Sequence, residues 1–98
     1  MASPSGTWTL LDFEDRYDRW VEIDGQDDDL RLEVLAWLVG RQDDPYQGVK
    51  PDPRIPGLYY GTIPHTEVDG RAVLCSYWIF NDQRQVRMDS LATLALPH

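Results

Sequence analysis

The residues able to do chemistry in this chain are few, and most sit in its second half. Lys50, Arg54, Arg71, Arg84 and Arg87 supply cations, and Tyr59, Tyr60 and Tyr77 stand among them. Cations that converge with phenols can hold a phosphate backbone and stack a base. The same residues read equally well as solvated hairpin ends (Arg71, Arg84) or as ion-pair partners of Asp89 or an acidic helix (Arg87). His65 follows Pro64 at the expected exit of a strand, a wet position where a general base can work; an ordinary surface histidine fits there too. The other histidine, His98, is the last residue, and two histidines so far apart make no metal site. No Cys/His pair has zinc spacing, and neither a phosphate-cradling glycine loop nor a nucleophile elbow is present. Asp27-Asp28-Asp29 lacks the further oxygen ligands of a calcium loop and reads as a helix start. Cys75, the only cysteine, cannot close an internal disulfide, and its apolar surroundings mark it as buried and inert. No cofactor or metal is implied.

The elements that must position these groups fall into two halves. Met1–Gly6 reads as a mobile lead-in, and residues 7–98 as one domain, long enough for a single core. Thr7-Trp8-Thr9-Leu10-Leu11 alternates as a strand, with Trp8 and Leu10 on one face. Asp12 is placed to cap a helix whose stripe is Phe13, Tyr17, Trp20 and Val21, stopped at Asp24-Gly25. A second helix carries Leu30, Val34, Trp37, Leu38 and Arg41 on one side and Leu32, Leu35 and Val39 beside it. So apolar a helix should be covered on more than one side. With so short a connection the two helices should form an antiparallel hairpin.

Residues 45–57, rich in proline and glycine, predict a stiff loop carrying Tyr46, Lys50 and Arg54. Leu58–Ile63 predicts a strand, Val68-Asp69-Gly70 a hairpin turn, and Arg71–Phe80 a central strand covered on both faces, since it is almost continuously apolar. After a turn at Asn81-Asp82-Gln83, residues 85–91 alternate, with Val86 and Met88 inward and Arg87 and Asp89 outward. The tail from Ala92 is apolar enough to dock, with no clear form. The expected fold is therefore α+β: a helical hairpin on a small, mainly antiparallel sheet, in the order β-α-α-β-β-β.

Charge divides along the same line. Residues 1–49 hold twelve acids and four bases, the whole of the net −8, whereas residues 50–98 hold five of each. A field of that sign repels nucleic acid and anionic lipid at long range, so any phosphate recognition must be local to the neutral half. With 42% hydrophobic and 11% aromatic residues, the chain folds despite its acidity. No targeting signal or bilayer-length apolar run is visible, which predicts a soluble cytoplasmic protein with no membrane partner.

The order of elements and several local matches resemble the RelE/ParE family of small bacterial toxins over roughly residues 7–92. Leu35-Ala36-Trp37-Leu38, Asp44-Pro45, the proline-broken loop with Lys50, and Pro56-Gly57-Leu58-Tyr59 look like one stretch of that family. Arg71-Ala72-Val73-Leu74-Cys75 looks like its following strand. The resemblance implies a toxin of a toxin–antitoxin pair, held by a cognate antitoxin protein. Such a toxin acts by metal-free cleavage of messenger RNA on the ribosome or by binding DNA gyrase. For cleavage, Arg71, Lys50 and Arg54 would stabilise the phosphate, and Tyr77, His65 and Arg87 are the candidate acid, base or stabilising groups. Arg54, Tyr59, Tyr60 and Arg84 would bind substrate. Tyr60 and Thr62 occupy positions where family ribonucleases carry basic residues, and those ribonucleases are basic proteins, so both differences lean away from ribosome-dependent cleavage. An acidic, non-catalytic module that captures a basic protein with its helical face is the alternative, and a degenerate toxin scaffold a third.

Overall fold

The computed structural model describes residues 8–24 and 27–96. The expected lead-in, the helix-stopping Gly25 and His98 lie outside them. In chain order the elements are β1 (Thr9–Leu11), α1 (Phe13–Ile23), α2 (Asp28–Val39), a 3-10 turn (Gly40–Gln42), β2 (Lys50–Pro51), β3 (Leu58–Thr62), β4 (Arg71–Phe80) and β5 (Gln85–Ala95). One five-stranded sheet results, ordered β1-β5-β4-β3-β2. β1 runs parallel to β5, and every other pairing is antiparallel.

Both helices start at aspartates, by different means. Asp27 has extended backbone, and its carboxylate accepts the Leu30 N–H at 3.0 Å, an N-cap that Asp28 and Asp29 reinforce at the positive end of the helix. Asp12, expected to cap α1 in the same way, makes no side-chain cap, because its φ of 64° is left-handed rather than the extended geometry from which a cap reaches inward. Its carboxylate lies 3.7 Å from Arg87 instead. Phe13 and Trp20 of α1 and Val34 and Leu38 of α2 are buried against Val73, Cys75, Tyr77 and Ile79 of β4 and Val86 and Met88 of β5. The Trp20 indole N–H donates to Thr93 Oγ1 at 2.9 Å, tying α1 to β5.

Three expectations are corrected. First, the proline-rich segment is not all loop: Lys50-Pro51 pairs with Tyr60 and Tyr59 as a fifth strand, so the element order is β-α-α-β-β-β-β. It stands at the sheet edge, where proline's missing N–H leaves no ladder bond unmade. Second, the helices do not form a close-packed hairpin. Tyr17 Oη reaches the Arg31 carbonyl at 3.4 Å, but an open cleft of about 390 Å³ separates Phe13 and Tyr17 from Leu35, Leu38 and Val39. Third, β4 is covered by helices on one face only, although Ala72 on the other face is buried. Its odd-numbered residues from Val73 to Ile79 are buried, whereas Leu74, Ser76 and Trp78 are partly exposed and Phe80 is exposed.

β5 also runs to Ala95, through the tail that had no predicted form. A bulge explains why. The register shifts so that Tyr77 faces Met88 while Ser76 faces Ser90, leaving Asp89 as the extra residue. Inward positions are therefore even-numbered before it (Val86, Met88) and odd-numbered after it (Leu91, Thr93). The β3–β4 connection ends in Asp69 and Gly70, with φ of 53° and 76°, the two left-handed residues that a tight hairpin requires.

Candidate binding face

With both helices on one side, no helix among the described residues covers the other side of the sheet, where Ala72 and Leu58 alone of the β3 and β4 residues are buried. Register decides what it carries. Lys50 is opposite Tyr60, Tyr60 opposite Ser76, and Ser76 opposite Ser90, making one row across four strands. The next row is Leu58, Trp78, Arg87 and Leu11. Lys50 and Arg87 thus stand three strands apart and two residues out of step, roughly 16 Å between their Cα atoms at ordinary sheet spacings. Tyr60 and Trp78 lie between them. Asp89, two residues beyond Arg87, is on this face too, and the bulge sets it beside Ser76: Ser76 Oγ donates to its Oδ2 at 2.8 Å and lies 2.7 Å from Ser90 Oγ.

Of the nine expected site residues, only Lys50, Tyr60 and Arg87 share this face. Arg87 is half-exposed, its charge partly offset by Asp12, with Phe80 5.9 Å from its guanidinium carbon. Arg71 is five residues from Ser76 and seven from Trp78 along β4, roughly 17 and 23 Å, and has the opposite parity. It faces a recess with Asp24, Asp27 and Thr93, and its Nη2 reaches the Thr93 carbonyl at 3.4 Å. His65 sits at that same end of the sheet, exposed, with φ of 64°. Arg54 and Arg84 are at the other end. Asp52 Oδ1 holds the Arg54 backbone N–H at 2.8 Å in an exposed turn. The Arg84 guanidinium stacks 4.4 Å from the centre of the Trp8 ring. Tyr59 is on the helix side, edge-on to Tyr46 at 5.5 Å.

Tyr77, expected as an acid or base, is fully buried, and its hydroxyl donates to the Pro45 carbonyl. Burial pushes its phenol up to about 12, more than the nearby Arg41 lowers it. A neutral phenol bonded to a backbone carbonyl and closed off from solvent is a packing element. Cys75 is likewise buried, its thiol pushed up to about 12 by burial, as expected of an inert cysteine. Arg41 is buried as well. It donates to the carbonyls of Trp37 and Gln47 and lies 3.8 Å from the Trp37 ring centre, clamping the proline-rich segment to the end of α2.

Trp78 and Ser76 are the members of the open face that sequence reasoning missed, and Asp89, expected outward, was given no part in the site. The even-numbered residues of β4 were a signal for the first two, had one face been taken as bare. Alternation already sets Asp89 outward beside Arg87, and only its approach to Ser76 depends on the bulge. Chemically, this face offers two π-faces, a cation on either side and one carboxylate, a set that fits stacking and anion pairing. Among the described residues no group of three or more His, Cys, Asp and Glu side chains is arranged to hold a metal ion, and no helix is long and apolar enough to cross a membrane. No family model matches the chain, and no curated protein or solved structure matches it.

Proposed function

We propose that this domain is a growth-inhibiting toxin of the RelE/ParE kind that acts in the bacterial cytoplasm through its uncovered sheet face, binding its target rather than cutting it. Supporting this is the grouping of Lys50, Tyr60, Trp78 and Arg87 on one solvent-facing side. The strand, two helices and following antiparallel strands are in keeping with such a scaffold, although fold alone assigns no activity. Against cleavage stands the dispersal of the groups it would need. Metal-free scission requires an acid and a base within hydrogen-bond reach of one phosphate; His65 and Arg71 are at one end of the sheet and Tyr77 is in the core. A binding target such as DNA gyrase fits this face better than a transcript held for cutting, and a cognate antitoxin protein would keep the toxin in check.

Induced expression in a bacterium tests the proposal. Growth should arrest, and the triple exchange Lys50→Glu, Trp78→Ala, Arg87→Glu should restore it at equal soluble level. Vigorous growth with abundant soluble wild-type protein, or arrest that survives the triple exchange, contradicts the proposed role of this face. Cut transcripts seen by primer extension would overturn the binding mode and leave the toxin assignment standing. Loss of supercoiling by purified gyrase would support both.

A further inference from the structure

The chain has a second unsatisfied surface, on the opposite side from Lys50 and Arg87. Leu32, Leu35 and Val39 of α2, spaced i, i+3 and i+7, are 66%, 41% and 51% exposed. Leu35 and Val39 form one wall of the cleft between the helices, and Phe13, Tyr17 and Leu10 form the other side and floor. At Leu10, Phe13 and Glu14 the cleft runs into an open recess lined also by Asp12, Asp15 and Asp18. Asp12 and Asp15 are engaged by Arg87 and Arg16. Glu14 and Asp18 have no ion-pair partner among the described residues.

We infer that this cleft is a docking site for a cationic amphipathic helix of a partner protein. The acidic expectation for the helical face thereby acquires a place and a partner shape. A helix suits it because both walls are helices whose backbone groups bond internally. The only sheet edge beside it is the three-residue β1, too short to hold an extended peptide, whereas a helix brings its N–H groups already paired. Apolar residues at helical spacing would fill the Leu35/Val39 wall, and flanking Lys or Arg would meet Glu14 and Asp18. A second copy of this chain is a poor occupant, because it would set one strongly acidic helical layer against another.

The probe is a pair of synthetic peptides of about 18 residues, long enough to form a helix on docking. They share a leucine stripe and differ only in a Lys/Arg or a Glu polar face. Fluorescence anisotropy with the full chain should show saturable binding of the basic peptide, weakened about tenfold or more as salt rises from about 0.05 to 0.5 M. The acidic peptide should not bind. Leu35→Asp should weaken the basic peptide at least about tenfold, and the pair Glu14→Lys, Asp18→Lys should shift preference toward the acidic one. All three positions are exposed, and circular dichroism confirms that the variants fold. Equal binding of both peptides, binding unmoved by Leu35→Asp, or no binding at all overturns the proposal. So does a concentration-dependent dimer in the ultracentrifuge that Leu35→Asp abolishes, which would seat a second copy in the cleft. Neither growth arrest nor its relief bears on this outcome, so it can fail separately from the sheet-face function.

Discussion

Alkaline pH should destabilise this domain through two buried groups, and one substitution should separate them. In the unfolded chain the Cys75 thiol titrates near 9.0 and the Tyr77 phenol near 10.0, and burial holds both at about 12 in the fold. Between those limits the unfolded chain has given up protons that the folded one retains. The folded state binds more protons, so stability falls as pH rises, by roughly 1.4 kcal/mol per pH unit for each group. The contribution is complete below about pH 9 for the thiol and about pH 10 for the phenol, and it is gone once pH passes about 12. From pH 7 to 11 the thiol costs roughly 2.7 kcal/mol and the phenol roughly 1.4. Together, about 4 kcal/mol is a large part of the 5–15 kcal/mol typical of a domain this size. Urea titrations followed by tryptophan fluorescence give the stability at each pH. Between pH 9 and 10 the thiol accounts for roughly 1 kcal/mol and the phenol for roughly 0.4, so wild type should lose roughly 1.4 kcal/mol there and Cys75→Ala only roughly 0.4. The variant also forfeits about 1 kcal/mol of packing, but equally at every pH, so slope rather than height decides. Equal slopes in that window would refute the assignment of the loss to the buried thiol.

Further outcomes follow from packing and caps. A Cβ at Gly61 would lie 2.7 Å from the Gly48 carbonyl oxygen and 3.1 Å from Val49, so Gly61→Ala should cost about 2 kcal/mol or more in urea stability. Gly40→Ala, with open space around it and helical backbone, should gain about 0.5 kcal/mol; the reverse ranking would disprove the packing at β3. Asp27→Ala removes the cap on Leu30 and should lower stability by about 1 kcal/mol, with Asp27→Asn retaining most of it. Trp20→Phe deletes the indole bond to Thr93 and should cost about 1–3 kcal/mol, read by thermal melting; an unchanged midpoint would show that the bond contributes nothing.

Much of the fold is legible in the residues because local chemistry and packing agree. The Phe13/Tyr17/Trp20/Val21 stripe, the Asp27 cap and the Asp69-Gly70 turn each require one local geometry and receive it. The bareness of one sheet face is not legible. Leu74, Trp78 and Phe80 look like core, and they are partly or wholly exposed because no second layer among the described residues covers them. The end of β5 was hidden by Asp89, because one extra residue swaps which positions face inward and breaks the alternation that marks a strand. The candidate site suffered most. Lys50, Tyr60 and Arg87 could be grouped only through pairing between strands far apart in sequence, and Arg71 looked equivalent to them until its parity and its distance along β4 were known.

The parallel pairing of β1 with β5 has a kinetic consequence. Thr9–Leu11 is hydrogen-bonded to Gln85–Arg87, so the earliest strand to be synthesised docks on the last. Closing so long a loop costs entropy before any contact repays it, and such contacts form late. While the chain is being made, the first strand must wait beside two acidic helices with no sheet to join. Leu10→Ala should therefore accelerate unfolding in stopped-flow mixing and leave the refolding rate nearly unchanged, the behaviour of a position still unstructured at the barrier. Slower refolding by the full amount of its destabilisation would place this strand in the nucleus instead. On that timetable the antiparallel meander of β3, β4 and β5 assembles first, and the N-terminal strand closes the edge as the final act of folding.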